Sequence, residues 1–222
     1  MLLKGILDPE YRQAMTITRI DHRWVLFQEI EHHLLHDITP SDFLNSIIKR
    51  GDLLAHPFIM LYRLLETKQP PQHHPEGSVW NHTLLVTNEA AKVKDKSKDP
   101  KVFMWAALLH DIGKPPTTRT RKGKITSYDH DKVGAELANE FLSEFTDDKD
   151  FINKVSALIR YHMHILYVDK GLPFADIKGM REQTDIDEVA LLGLCDRVGR
   201  RGSDRLSEEE NIKQFIHKSS AQ

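Results

Sequence analysis

Leu108-Leu109-His110-Asp111-Ile112-Gly113-Lys114-Pro115 joins an apolar helix to a turn in this 222-residue chain. Residues three, four and seven apart share one side of a helix, so His110 continues the stripe of Phe103, Ala106 and Ala107. Gly113 and Pro115 break the helix, and the Asp111 carboxylate can bend back while the His110 imidazole stays inward. A buried imidazole or carboxylate without a partner costs several kcal/mol, so two such neighbours need hydrogen bonds or an ion.

Four more helical patterns repeat that placement. Helices are predicted at about 78–95, 99–112, 130–145, 149–164 and 185–200. His82 shares a side with Leu85, Val86 and Ala90, while Phe151, Val155, Leu158 and Ile159 lead to His162. Val189, Leu192 and Gly193 lead to Asp196, and His130 opens a face continued by Val133, Leu137 and Phe141. Five helices thus each turn an ionisable or imidazole group inward, and one divalent cation satisfies several at once. Mixed nitrogen and oxygen ligands suit Mn, Fe, Co, Ni, Zn or Mg, without choosing among them or between one ion and two. Strand alternation is confined to residues 115–129, where Lys122-Gly123-Lys124 can turn a short hairpin between Thr117 and Tyr128. The fold class expected is all-α.

Composition narrows the rest. Lys and Arg number 31 against 33 Asp and Glu, a formal charge of -2, so no global field marks a nucleic-acid or membrane binder. Cys195 is the only cysteine, which excludes an internal disulfide and a thiolate zinc cluster. No stretch approaches the roughly 20 apolar residues needed to span a bilayer, and the expected location is cytoplasmic.

Residues 1–21 show weak periodicity. Trp24, Phe27, Ile30, Leu34 and Leu35 then make an amphipathic helix, Thr39-Pro40-Ser41-Asp42 starts a second ending at Gly51, and a third runs from Pro57 through Leu65. Residues 68–77, with Pro70, Pro71, Pro75 and Gly77, cannot be helical and read as a linker. The organisation expected is an N-terminal helical extension and linker over 1–75, a main domain over 76–203 and a charged helix or tail over 204–222.

His82, His110-Asp111 and Asp196, in that order on helices, resemble the HD domain of metal-dependent phosphohydrolases. The longer runs His74-Pro75-Glu76-Gly77-Ser78-Val79-Trp80-Asn81-His82-Thr83, Leu108 through Pro115, His130 before Gly134-Ala135, and Asp196-Arg197-Val198-Gly199-Arg200 resemble the HD domain of bacterial tRNA nucleotidyltransferases. That similarity covers roughly residues 40–203. It implies a helical HD bundle and a divalent metal on His82, His110, Asp111 and Asp196. It also implies hydrolysis of 2',3'-cyclic nucleotides, 2'-nucleotides or related phosphoesters. The nucleotidyltransferase head has no counterpart in these residues, so CCA addition is not expected.

The chemistry implied is attack by metal-bound water on a phosphoester, with Asp111 binding metal and orienting the water and Lys114 the second candidate catalytic residue. His130 and His162 match positions that hold a second ion in two-metal relatives, or that contact substrate phosphate. Lys114, Arg197 and Arg200 are candidates for phosphate oxygens, with pairing to acidic neighbours the alternative for the arginines. His164 is two residues off the apolar face of its helix and is expected to be exposed. His32 and His36, beside Glu29 and His33, read as a solvated face, His73 and His74 as part of the lead-in, and Cys195 as core. Arg119, Arg121, Lys122, Lys124 and Tyr128 make a basic loop after the His-Asp pair. They support a second reading, a non-catalytic module sensing a nucleotide or RNA, although an ordinary exposed turn explains them more simply. The expected partner is a small phosphoester or nucleotide, with no membrane and with oligomeric state left open.

Overall fold

The computed structural model describes residues 22–221, so the weak periodicity of residues 1–21 lies outside the described residues. The fold is all-α with one small hairpin. α1 (His22–His36), α2 (Pro40–Arg50) and the short α3 (Ile59–Tyr62) precede α4 (Val79–Ala91) and α5 (Pro100–Leu109). A turn after α5 enters α6 (Lys114–Thr117) and the antiparallel strands β1 (Thr118–Arg121) and β2 (Lys124–Ser127). Next come α7 (His130–Ser143), α8 (Lys149–Tyr161), α9 (His164–Asp169), α10 (Ile177–Gln183), α11 (Ile186–Val198) and α12 (Arg205–Ser220).

α5 is the axis of the bundle. Asp99 caps it by accepting from Val102 N at 3.2 Å, and Pro100 takes the first turn, where its missing N–H costs nothing. Every residue from Val102 to Leu109 is buried, the pattern of a helix with no solvent side, and α1, α4, α8 and α11 all touch it. α8 buries Phe151, Ile152, Val155, Leu158 and Ile159 against α7 and α5. α12 buries Ile212, Phe215 and Ser219 and packs on α11 and α9, so the charged C-terminal segment is a helix with one covered face.

The N-terminal helices dock on this bundle through aromatic rings. Phe27 stacks on Trp105 at 4.6 Å and on Phe145 at 4.5 Å, and Trp105 Nε1 donates to Glu31 Oε2 at 3.0 Å. Trp24, expected on the buried side of α1, is 48 % exposed. The covered face is Leu26, Phe27, Ile30 and Leu34, and Trp24 lies off it on a helix of 3.6 residues per turn. The predicted third helix is shorter than expected, α3 followed by a 3-10 turn over Arg63–Leu65.

The Pro-rich run 68–77 is non-helical, as expected, but it is more than a linker: Gln69, His74 and Glu76 are buried within it. The hairpin pairs Thr118 with Ser127 and Arg121 with Lys124, turning at Lys122 and Gly123, both at positive φ. No helix among the described residues is long and apolar enough to cross a membrane.

Candidate metal centre

Five helices converge at one end of the bundle. α4 carries His82, the turn after α5 carries His110 and Asp111, α7 begins with His130, α8 ends into His162, and α11 carries Asp196 in its last turn. All six side chains are buried. Two further cations join them. Lys114 Nζ lies 2.7 Å from Asp111 Oδ2, and Arg200 Nη2 donates to Asp196 Oδ2 at 3.0 Å.

The four imidazoles are oriented alike. His110 Nδ1 donates to Ala107 O at 2.9 Å, His162 Nδ1 to Ile159 O at 2.6 Å and His130 Nδ1 to Ser127 O at 2.7 Å. A carbonyl oxygen can only accept, so each of these Nδ1 atoms carries the proton. His82 Nδ1 donates to a carboxylate, Glu76 Oε1, at 3.0 Å. Every Nε2 therefore offers a lone pair to the interior. His82 Nε2 stands 2.9 Å from Asp196 Oδ1 and His110 Nε2 3.3 Å from Asp111 Oδ2. His130 and His162 present Nε2 atoms 3.3 Å apart, at 3.5 and 3.9 Å from Asp111 Oδ1.

Acceptors facing acceptors at these distances require a proton or a cation between them. His110 Nε2 is buried with no hydrogen-bond partner, and a cation is one group that would satisfy its lone pair. The donor set therefore fits a divalent cation: His82, His110 and Asp111 form one group close enough to share one and Asp111, His130 and His162 another, with Asp196 against His82 Nε2 beside the first.

Electrostatics agree with the geometry. Burial opposes ionisation of Asp111, but Lys114 and His110 outweigh it and hold its carboxyl well below the usual range. Asp196 is held down in the same way by Arg200 and His82. Burial pushes His162 down to about 4 and lowers His130 as well, so both stay neutral and able to ligate near pH 7. Burial alone would lower His110 too, yet the Asp111 and Asp196 carboxylates raise it, so a proton competes with a cation for its Nε2.

Two groups escaped sequence reasoning. Glu76, with a fully buried side chain, accepts from both His82 Nδ1 and His74 Nδ1 through Oε1, at 3.0 and 2.9 Å. Burial works against its charge, but the two histidines hold its carboxyl down at about 2. Gln69 accepts from Lys114 Nζ at 2.7 Å and so fixes a lysine that is itself buried. The available signal was polar residues bracketed by prolines directly before the capped start of α4, where the segment has no helix to join.

His164 corrects an expectation. It is 0 % exposed, because α8 stops at Tyr161 and a new helix starts at His164, so the periodicity of α8 does not extend to it. Its ring packs edge-on to Tyr161, its Nε2 accepts from Asp176 N at 3.1 Å, and burial lowers it to about 4. Arg197 does not line the main cleft: its guanidinium donates to Glu208 Oε2 at 2.8 Å on α12, and it borders a small side cavity of about 60 Å³ with His162, Asp196 and Arg200. His74 lines the cleft beside His82, whereas His32 and His36 are exposed and join no metal-binding group among the described residues. Arg119, Arg121, Lys122 and Lys124 are all exposed on the hairpin, and Cys195 is buried.

The model of the HD domain matches residues 79–201. The chain is 36% identical over 122 residues to the Multifunctional CCA protein of Actinobacillus pleuropneumoniae serotype 5b, covering 54% of this chain and 28% of that protein. It is 24% identical over 207 residues to the Multifunctional CCA protein of Vibrio vulnificus strain YJ016, covering 90% and 47%. To the CC-adding tRNA nucleotidyltransferase of Thermus thermophilus it is 29% identical over 161 residues, covering 72% and 36%. The chain thus spans less than half the length of each of these relatives. With the family model covering more than half of its residues and the buried His and Asp groups standing where that model matches, the chain belongs to the HD domain family, the superfamily of metal-dependent phosphohydrolases.

Proposed function

We propose that this chain hydrolyses a nucleotide or closely related phosphoester, as a 2',3'-cyclic phosphodiesterase, a nucleotidase or a phosphatase. The observation that carries this reading is the set of four imidazoles locked by their Nδ1 protons, with every Nε2 aimed at Asp111 or Asp196, the two carboxylates that line a cleft of about 800 Å³. A divalent cation in that set would lower the pKa of a water and neutralise charge on phosphoryl oxygens. His82, His110, Asp111 and Asp196 would hold it, with His130 and His162 completing a second position or meeting the phosphate.

The chain's own residues do the remaining work. Asp111 lies between the two groups, its Oδ2 toward His110 and its Oδ1 toward His130 and His162, so it can orient an attacking water at their border. Lys114 and Arg200 each neutralise one of the two carboxylates and line the cleft, where their remaining N–H groups can meet phosphate oxygens. Glu76 and the carbonyls of Ala107, Ser127 and Ile159 fix the ring orientations before substrate arrives.

The test strips the protein of metal, reloads it separately with Mn, Co, Ni, Fe, Mg and Zn, and assays bis-p-nitrophenyl phosphate, p-nitrophenyl phosphate and 2',3'-cyclic AMP beside Asp111→Ala. Turnover that needs both metal and Asp111 is expected, and the preferred ester separates diesterase from phosphatase. Metal binding without turnover across the panel would favour the second reading, a nucleotide- or RNA-sensing module. Support for that reading is the row of exposed cations on the hairpin next to the cleft, together with the tRNA-directed names of the relatives.

A further inference from the structure

Seven large hydrophobic side chains are exposed among the described residues, and three of them, Tyr128, Leu166 and Phe174, line the same cleft as the metal-binding groups. Tyr128 is 77 % exposed and Phe174 64 %, on separate segments: one follows β2 and the other lies between α9 and α10. Tyr167, also lining the cleft, meets Phe174 edge-on at 5.7 Å and props it from behind. Exposed aromatic faces cost free energy in water, and two of the three most exposed hydrophobic rings among the described residues, Tyr128 and Phe174, line this one cleft.

The cleft lining therefore combines two chemically distinct groups of side chains. One holds Asp111, Asp196, Lys114 and Arg200, and takes a cation and a phosphate. The other offers open ring faces, with a phenol at the wet edge. A ligand that satisfies both carries an anionic ester and a flat apolar ring, and the volume of about 800 Å³ lies within the range for small-molecule sites. Resting on the phosphoester reading above, we infer that Tyr128 and Phe174 form a base-stacking subsite that selects nucleotides over phosphoesters lacking a base. Stacking on a ring face tolerates any base, so the subsite distinguishes nucleotide from non-nucleotide more sharply than one base from another.

Calorimetry on the full, Mn-loaded chain tests this with AMP, glycerol 2-phosphate, hexyl phosphate and inorganic phosphate. AMP is expected to bind at least about 10-fold tighter than glycerol 2-phosphate, and Tyr128→Ala and Phe174→Ala each to weaken AMP about 5- to 10-fold while leaving inorganic phosphate unchanged. Phe174→Tyr, which keeps the ring, should retain most of the AMP affinity. Equal binding of AMP and glycerol 2-phosphate would overturn the subsite, as would parallel weakening of AMP and inorganic phosphate in the variants. Hexyl phosphate binding as tightly as AMP would overturn it in favour of an aliphatic ester. Each of those results leaves the phosphohydrolase reading standing as long as phosphate binds and esters turn over. Failure of every phosphate to bind, with no turnover on any ester, would remove both.

Discussion

His82 shows how one side chain depends on another. Its Nδ1 proton is held by Glu76, and its Nε2 lone pair is thereby directed at Asp196. Glu76→Gln keeps the shape but removes the charge, and is expected to weaken divalent-metal affinity about 10- to 100-fold without unfolding the chain, as read by metal titration alongside circular dichroism. Buried His164 makes a different prediction. Its folded-state value is depressed to about 4 from 6.5, so the unfolded chain binds the proton first. Its contribution to stability is complete above pH 6.5 and is lost as pH falls from 6.5 toward 4. His164→Gln keeps an acceptor for Asp176 N and cannot titrate, so urea midpoints of the variant should fall less steeply than those of the parent across that window. The His-Asp pair could be read in the sequence because each ligand extends an apolar stripe. Glu76 could not, because it lies in a segment with no periodicity to say which way a side chain points.

At the level of elements, Gly113 serves a different purpose from the one its sequence position suggests. It has an ordinary right-handed conformation, φ -80°, so it is not needed as a conformational break. A Cβ there would stand 2.1 Å from His130 O and 2.5 Å from Gly134 N, so the residue's value is the space it leaves for the first turn of α7. Gly113→Ala is expected to cost about 1–3 kcal/mol in chemical denaturation and to weaken metal binding by shifting α7 and His130. Neutral stability and unchanged metal affinity would show that α7 moves aside freely. The helices carrying ligands were legible because each is long and has one continuous apolar face, and the hairpin because Lys122-Gly123 suits a two-residue turn. α9 and α10 were not, since the first has six residues and the second seven, too few for a repeat to stand out.

In the whole molecule, the site ties together five helices that the apolar core alone would leave with several mutually repelling buried acceptors. Cation binding should therefore be coupled to stability. Chelation is expected to lower the melting temperature, and free metal at about 100 times its Kd to restore roughly 2.7 kcal/mol, with Asp111→Ala abolishing the difference. The same thermal midpoint with and without metal would mean that the ligands sit on a frame rigid enough not to need it. The all-α class could be read from periodicity and the bundle from the resemblance, while the way α1 is fastened could not. Its stacking of Phe27 between Trp105 and Phe145 joins residues far apart in the chain, which no local pattern records.

Two of the converging helices, α5 and α8, end at the site with His110 and His162 as their C-terminal caps. Aligned peptide dipoles place about half a negative elementary charge at each such end. Those two ends are electronegative through their backbones, while α7 brings its positive end to the same site at His130. With the buried Asp111 and Asp196 carboxylates added to those two ends, an order of arrival is expected: inorganic phosphate should bind the metal-loaded protein and give no calorimetric signal with the chelated one.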